Sequence, residues 1–173
     1  MLSRKDIESA LVEFATRLDA AGVEVVVHVV GGAAMVLAYD ESRGSTRDVD
    51  SWFPPASARR EVLRVVEELA VERGLPADWL NDKANVFIPE SADTSGWRVL
   101  LSVGRVVVKV ADAEVMFAMK MRAGRPARDF ADLDVLARIL GITTRAAAVE
   151  VFERNYPWDE MKPTVEFWLR TLD

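Results

Sequence analysis

Val30-Gly31-Gly32-Ala33-Ala34, followed after a polar loop by Thr46-Arg47-Asp48-Val49-Asp50, decides how this chain is read. Two glycines where a strand gives way to a helix let the backbone approach a ligand closely. They also leave the first N–H groups of the helix pointing outward, where phosphate oxygens are well received. Residues two apart on a strand share a face, so Asp48 and Asp50 project together while Val49 turns into the core. Two carboxylates a few ångströms apart repel unless a cation lies between them. A hard divalent ion such as Mg²⁺ accepts this arrangement, with triphosphate oxygens completing its shell. A lone Gly-Gly is usually a turn and a lone Asp-X-Asp usually a loop or cap. Their succession at the end of one strand and the start of the next is what carries chemistry.

Upstream, Val23 to Val30 is a β-branched run too apolar for an exposed face, which predicts a buried strand. Before it, Ser3 and Asp6 followed by Ile7, Leu11, Phe14 and Leu18 predict a capped amphipathic helix ending near Gly22. Downstream, Ala33–Tyr39 is predicted as a short helix, Asp40–Arg47 as a loop and Asp48–Phe53 as a strand closed by Pro54-Pro55. A helix from Ser57 to about Arg73 would turn Val62, Val65, Val66 and Leu69 inward. Pro76–Leu80 reads as a helical turn; Asn85–Ile88, Trp97–Val103 and Val106–Val110 read as strands, the last two joined by a tight turn at Gly104-Arg105. From Asp112 the pattern is helical: Ala113–Ala123, Pro126–Leu140, Thr143–Asn155 and Glu160–Leu172, broken at Gly124, Gly141 and Pro157. The expected fold class is α/β of the mixed α+β kind: a core with a mixed sheet over 1–111, followed by C-terminal helices over 112–173 packed on it. The whole of 1–173 as one single domain is the alternative.

Composition narrows the chemistry. The 173 residues contain no cysteine and one histidine, His28, which excludes disulfides, thiolate metal sites and a histidine-rich zinc site. A lone histidine in an apolar strand reads as a satisfied core group. The formal net charge of −6 is opposite to that of a protein that coats nucleic acid, so any such contact needs a local basic patch. Lys120, Arg122, Arg125 and Arg128 form one candidate patch for phosphate; the plain alternative is an ordinary surface pair between Arg128 and Asp132. On the helix from Pro126, the apolar stripe is expected at Phe130, Leu133, Ala137 and Leu140, with Asp129 and Asp132 beside it. Trp52, Trp79, Trp97, Trp158 and Trp168 read mostly as packing, although Trp52, just past the acids, could face a nucleobase. No apolar run is long enough to span a membrane and Met1–Asp6 has no signal-like apolar region, so a cytoplasmic protein is expected.

The succession of an apolar residue, Gly-Gly, a spacer and Asp-apolar-Asp resembles the polymerase-beta-like nucleotidyltransferases. A later stretch, Lys120-Met121-Arg122-Ala123-Gly124-Arg125-Pro126-Ala127-Arg128-Asp129-Phe130-Ala131-Asp132-Leu133, is similar to the lysine-then-RDxxDL signature of the AbiEii-type nucleotidyltransferase toxins, which include the mycobacterial MenT toxins. The resemblance covers roughly residues 23–53 and 112–136. It implies a nucleotidyltransferase-fold core in which Asp48 and Asp50 bind Mg²⁺ or Mn²⁺ and Gly31-Gly32 cradles the phosphates of an NTP. Lys120 would hold phosphate or stabilise developing charge, and Asp132 would complete the catalytic set, with Asp129 as the alternative. Thr46 matches a hydroxyl often found before the acids, and the nearby arginine of the family would be Arg43 or Arg47. The family often has serine where this chain has Gly32. The implied reaction moves a nucleoside monophosphate from an NTP to an acceptor hydroxyl. For a toxin the acceptor would be the 3′ end of tRNA, and the partner a cognate antitoxin protein. A small-molecule acceptor and a non-catalytic module that binds a partner protein, for example as an antitoxin, are the two alternatives.

Overall fold

The computed structural model describes residues 1–172, with Glu41 by its backbone alone. The chain forms two compact units, Met1–Asn85 with Trp97–Ala111, and Val86–Gly96 with the residues from Asp112 onward. The second unit thus takes a segment, 86–96, that lies within the range expected for the core. The class is mixed α/β with C-terminal helices.

In the first unit, strand β1 (Leu2–Ser3) leads into helix α1 (Arg4–Ala20). Ser3 caps α1: its hydroxyl accepts from the Asp6 N–H, and the Asp6 carboxylate accepts from the Ser3 N–H. The helix buries Ile7, Leu11, Phe14 and Leu18 at the spacing the sequence predicts. Strand β2 (Val25–Val29) follows, and then helix α2 (Gly31–Ala34), which continues as a wider π turn over Met35–Tyr39. The two glycines are therefore the first residues of the helix, two positions earlier than the predicted start at Ala33. Within the expected loop Asp40–Arg47, a 3-10 turn at Glu41–Arg43 and a short strand β3 (Ser45–Thr46) appear. β3 pairs antiparallel with β1, Leu2 opposite Thr46; a two-residue strand is made by its distant partner and has no periodic pattern to read.

Strand β4 (Val49–Trp52) starts one residue after Asp48. Helix α3 (Arg59–Arg73) buries Val62, Val65, Val66 and Leu69, as the sequence predicts. Of the expected helical turn Pro76–Leu80, Pro76–Trp79 forms a single turn closed by the Trp79 N–H on the Pro76 carbonyl, while Leu80 instead opens a strand, β5 (Leu80–Asn81). The cause is tertiary. Trp79 is fully buried, with its indole N–H on the Val66 carbonyl of α3, and its own carbonyl accepts the Val49 N–H, which pulls the chain alongside β4. Strands β6 (Arg98–Val103) and β7 (Val106–Val110) form the hairpin around Gly104-Arg105. The five-stranded sheet runs β5-β4-β2-β7-β6, with β2 antiparallel to β4 and parallel to β7. Val25, Val27, Val29, Val49, Val106, Val108 and Val110 point into the core, and α1 packs against β6, β7 and α3. The other face carries residues that are mostly half-buried.

In the second unit, Asn85–Phe87, expected as the start of a strand, instead makes a single 3-10 turn that begins on the last residue of the first unit. Val86 is exposed and has no sheet neighbour to bury it. Helices α4 (Ala113–Ala123) and α5 (Pro126–Leu140) match their expected bounds, separated by Gly124 at φ +57°. Met116, Met119 and Met121 are buried as helix packing. Helix α6 (Arg145–Asn155) is capped by Thr144. The expected helix Glu160–Leu172 shrinks to α7 (Val165–Leu169). Before it, Lys162 donates to the Ala123 carbonyl and Thr164 to the Gly124 carbonyl, so this stretch serves the open end of α4 instead of coiling on itself. Trp168 is buried against Phe117 and donates to Asp134. No helix among the described residues is long and apolar enough to cross a membrane.

Candidate functional site

Asp48 precedes β4, yet burial alternates without a break from 48 to 53: Asp48, Asp50 and Trp52 are half-buried, while Val49, Ser51 and Phe53 are buried. The expected sharing of a face survives the shift of the strand's start. The Val30 N–H donates to the Asp50 carbonyl at 2.9 Å, which holds the end of β2 and the glycine turn against β4. Gly31 has φ +65°, and a Cβ there would lie 2.7 Å from Asp50 Oδ2. A Cβ on Gly32 would lie 2.5 Å from the Thr46 hydroxyl and 3.6 Å from Arg43 Nη2. Both glycines are thus required by close approach, and at Gly31 also by a left-handed backbone. The sequence left Arg43 and Arg47 as alternatives; Arg43 is the one beside the glycine turn, whereas Arg47 is exposed.

The second carboxylate leans toward β5. Asn81, opposite Asp50 in the β4–β5 ladder, donates from Nδ2 to Asp48 Oδ2 at 3.5 Å. The Asn81 side-chain oxygen accepts the Lys83 N–H, and the Lys83 ammonium pairs with Asp78. The Asp78 hydrogen bond, with smaller help from the Asp78 and Asp48 charges, holds the Lys83 ammonium above its ordinary pKa against desolvation and the Arg47 charge. On the same sheet face, His28 lies opposite Trp52 on β4 and opposite Lys109 on β7. Its ring stacks on Trp52 with centroids 5.1 Å apart and meets Trp97 edge-on at 5.2 Å. Burial pushes the imidazole pKa down and the Lys109 charge pushes it further, against a backbone hydrogen bond with Trp52. Asn81, Lys83 and Lys109 escaped the sequence reading. Only Lys109 had left a signal, a single cation inside Val106-Val107-Val108-Lys109-Val110.

The other predicted residues lie in the second unit. Lys120 is buried, with its ammonium 2.6 Å from Asp132 Oδ2 and 3.3 Å from Asp129 Oδ1. Arg125 adds a two-pronged bond to Asp129 (2.8 and 3.1 Å), and its backbone N–H donates to the same carboxylate at 3.0 Å. Burial pushes the Asp129 carboxyl up, but the Arg125 hydrogen bonds and the Lys120 and Arg125 charges outweigh it and hold it below its ordinary value. Here the expected geometry needs correcting. Asp129 and Asp132 do not flank the apolar stripe of α5; they are part of its buried face with Leu133, Leu136 and Ala137, while Phe130 and Leu140 are only half-buried. In place of the alternative surface pair with Arg128, Asp132 makes a buried pair with Lys120, and Arg128 is exposed. Arg122 pairs with Asp159 at 2.6 Å, donates to the Val86 carbonyl and lies over the Tyr156 ring at 4.7 Å. Three of the four cations of the predicted basic patch are therefore engaged by their own unit.

Within the first unit, then, the fold brings Gly31 to Asp50, and Gly32 to Thr46 and Arg43. Within the second it brings Lys120 to Asp129 and Asp132. Among the described residues no group of three or more histidine, aspartate or glutamate side chains gathers as a metal cluster. Comparison with models of known families, with curated proteins and with solved structures returned no match.

Proposed function

We propose that the protein is a Mg²⁺-dependent nucleotidyltransferase whose metal–nucleotide site is built on Asp48, Asp50 and the Gly31-Gly32 turn. The observation that carries the reading is the approach of the Asp50 carboxylate to Gly31, so close that a methyl group would not fit. Beside it, Asp48 occupies the same half-buried face. Aspartate oxygens are hard donors that suit Mg²⁺ or Mn²⁺. A site with two protein carboxylates leaves the remaining positions to triphosphate oxygens and water, as is usual for this ion. When bound, the ion would neutralise charge on the α-phosphate and on the departing pyrophosphate.

The chain's own residues have separable tasks. Asp48 and Asp50 hold the ion, and Asn81 orients Asp48 through its amide. The backbone at Gly31 and Gly32, bare of side chains, lets the phosphates come close, with Thr46 and Arg43 beside it. The acceptor oxygen attacks the α-phosphorus, the bond from that phosphorus to the bridging oxygen breaks, pyrophosphate leaves with the electron pair, and the acceptor's proton passes to solvent. Lys120, Asp129 and Asp132, a charge-balanced group with Arg125, act in this reading as the lock of α4 on α5 within the second unit.

By resemblance to the toxin family, the acceptor would be the 3′ end of tRNA in the cytoplasm, with an antitoxin protein as partner. A specific observation supports a second reading with a small hydroxyl compound as acceptor: Lys120, Arg122 and Arg125 are all ion-paired, so few cations of the patch are left for an RNA backbone. One assay tests both. The purified protein is incubated with Mg²⁺, each α-labelled NTP, total RNA and a mixture of small hydroxyl compounds. Label should move to one fraction and identify the acceptor, and Asp48→Asn and Asp50→Asn should abolish transfer while leaving thermal stability unchanged or raised. No transfer by the unaltered protein to RNA, protein or small molecules would sink the proposal.

A further inference from the structure

The face that carries Asp48 and Asp50 continues to Trp52, whose ring is fixed without being buried. One side of the indole stacks on His28, which is itself wedged against Trp97. Trp52 also helps to line a cavity of about 370 Å³ in the first unit, together with Phe53, Pro54, Ala56, Arg59, Asp82 and Asn85. That volume falls within the roughly 300–1,000 Å³ range of small-molecule sites. The cavity exists because β5 ends at Asn81, opposite Asp50, so the edge of β4 at Trp52 has no strand beside it.

Its charges are balanced internally. Arg59 pairs with Asp82, and its guanidinium lies over the Phe53 ring, 5.7 Å from the centroid. A pocket with a flat aromatic wall and no net charge suits an uncharged planar heterocycle better than a phosphate. Of the other tryptophans, Trp79, Trp97 and Trp168 are buried and Trp158 is exposed, whereas Trp52 is half-open on the wall of a cavity. The distances fit as well. At a strand rise of roughly 3.3 Å per residue, Trp52 lies roughly 7 Å along β4 from Asp50 and roughly 13 Å from Asp48. A nucleotide with phosphates at the carboxylates would place its base beside the indole.

We propose that Trp52 is the stacking platform for the base of the nucleotide, and that the cavity beside it, walled by Arg59, Asp82 and Asn85, is the base pocket. The proposal rests on the nucleotidyltransferase reading, and it adds the residue that holds the base. Stacking on an aromatic side chain tolerates every base, so this contact supplies affinity, and the polar wall supplies any preference among bases.

The test is calorimetric titration of the full chain with Mg²⁺ and either NTP or inorganic tripolyphosphate, which has the phosphates and no base. Trp52→Leu should weaken NTP binding by about 5- to 150-fold, the range expected for a lost base–aromatic stack, and leave tripolyphosphate binding unchanged. Trp52→Phe, which keeps a smaller ring, should fall between. Asn85→Ala, at an exposed position on the cavity wall, should weaken NTP alone with no change in thermal stability. Equal NTP affinity in Trp52→Leu and the unaltered protein overturns the platform while leaving the nucleotidyltransferase reading standing. Parallel loss of NTP and tripolyphosphate also overturns it, because Trp52 would then act only through the fold. Absence of binding of either compound to the unaltered protein overturns both proposals.

Discussion

Replacing Lys120 with methionine keeps the apolar stem and removes the ammonium from between two carboxylates. The side chains of Lys120, Asp129 and Asp132 are 6%, 0% and 2% exposed, so water cannot take the place of the lost charge. Arg125 still neutralises Asp129, but Asp132 loses the cation 2.6 Å from its Oδ2. Breaking a buried pair by deleting one partner costs about 3–5 kcal/mol. For a chain of this size each kcal/mol lowers Tm by roughly 2–4 °C, so Lys120→Met should unfold about 6–20 °C earlier in scanning calorimetry. The pH dependence should change with it. Asp129 has a folded pKa below its unfolded value, so its contribution is present above the unfolded value of 3.8 and is lost as pH falls through the lower folded value. Without the Lys120 charge the folded value should rise toward the unfolded one, so this loss should be smaller and complete at a higher pH. The reasoning is refuted if Lys120→Met melts within about 2 °C of the unaltered protein. Should that variant also lose nucleotide binding, Lys120 would be a phosphate ligand and not the lock of α4 on α5.

Two further substitutions probe the sheet and the glycine turn. Gly31→Ala meets both a left-handed backbone, which costs a non-glycine residue about 1–2 kcal/mol, and the Asp50 carboxylate. Gly141→Ala has nearly the same φ, +69°, with nothing within 4 Å, and serves as the control for strain alone. Gly31→Ala should lose Mg²⁺-dependent nucleotide binding and destabilise more than Gly141→Ala; equal effects of the two on stability would remove the close approach from the argument. At His28 the folded pKa lies below its ordinary 6.5, so the unfolded chain takes up the proton first. The stability this position contributes is complete above pH 6.5 and is lost as pH falls from there toward the folded value. His28→Gln should flatten that part of the stability–pH curve, and an unchanged slope would show that His28 is not the group responsible.

Much of the architecture was legible in short windows of sequence. Ser3 and Asp6 announced the capped start of α1, and the valine runs announced β2 and β7. Gly104-Arg105 announced the hairpin, and Gly124 with Pro126 set the break between α4 and α5 to the residue. Each rests on a period, a cap or a backbone angle that neighbouring residues decide among themselves. The candidate site was legible to the same depth. Alternation alone put Asp48 and Asp50 on one face, and the two glycines could be recognised as a place of close approach.

What lay closest to that turn was decided elsewhere. That Asp50 sits over Gly31, that Arg43 and not Arg47 joins Gly32, and that Asn81 reaches Asp48 all follow from pairing among β2, β4 and β5. β5 itself, two residues long, exists because Trp79 is buried under α3 and pulls the chain against β4. The fate of the cations was equally out of reach. Lys120, Arg122 and Arg125 read as a patch for phosphate, and each met a carboxylate, from the neighbouring helix, from the segment between α6 and α7, or one turn along α5. Local order follows from the steric and hydrogen-bonding preferences of adjacent residues, which the sequence states directly. Ion pairs, short edge strands and the contents of a site depend on which distant segments meet, and only the folded chain settles that.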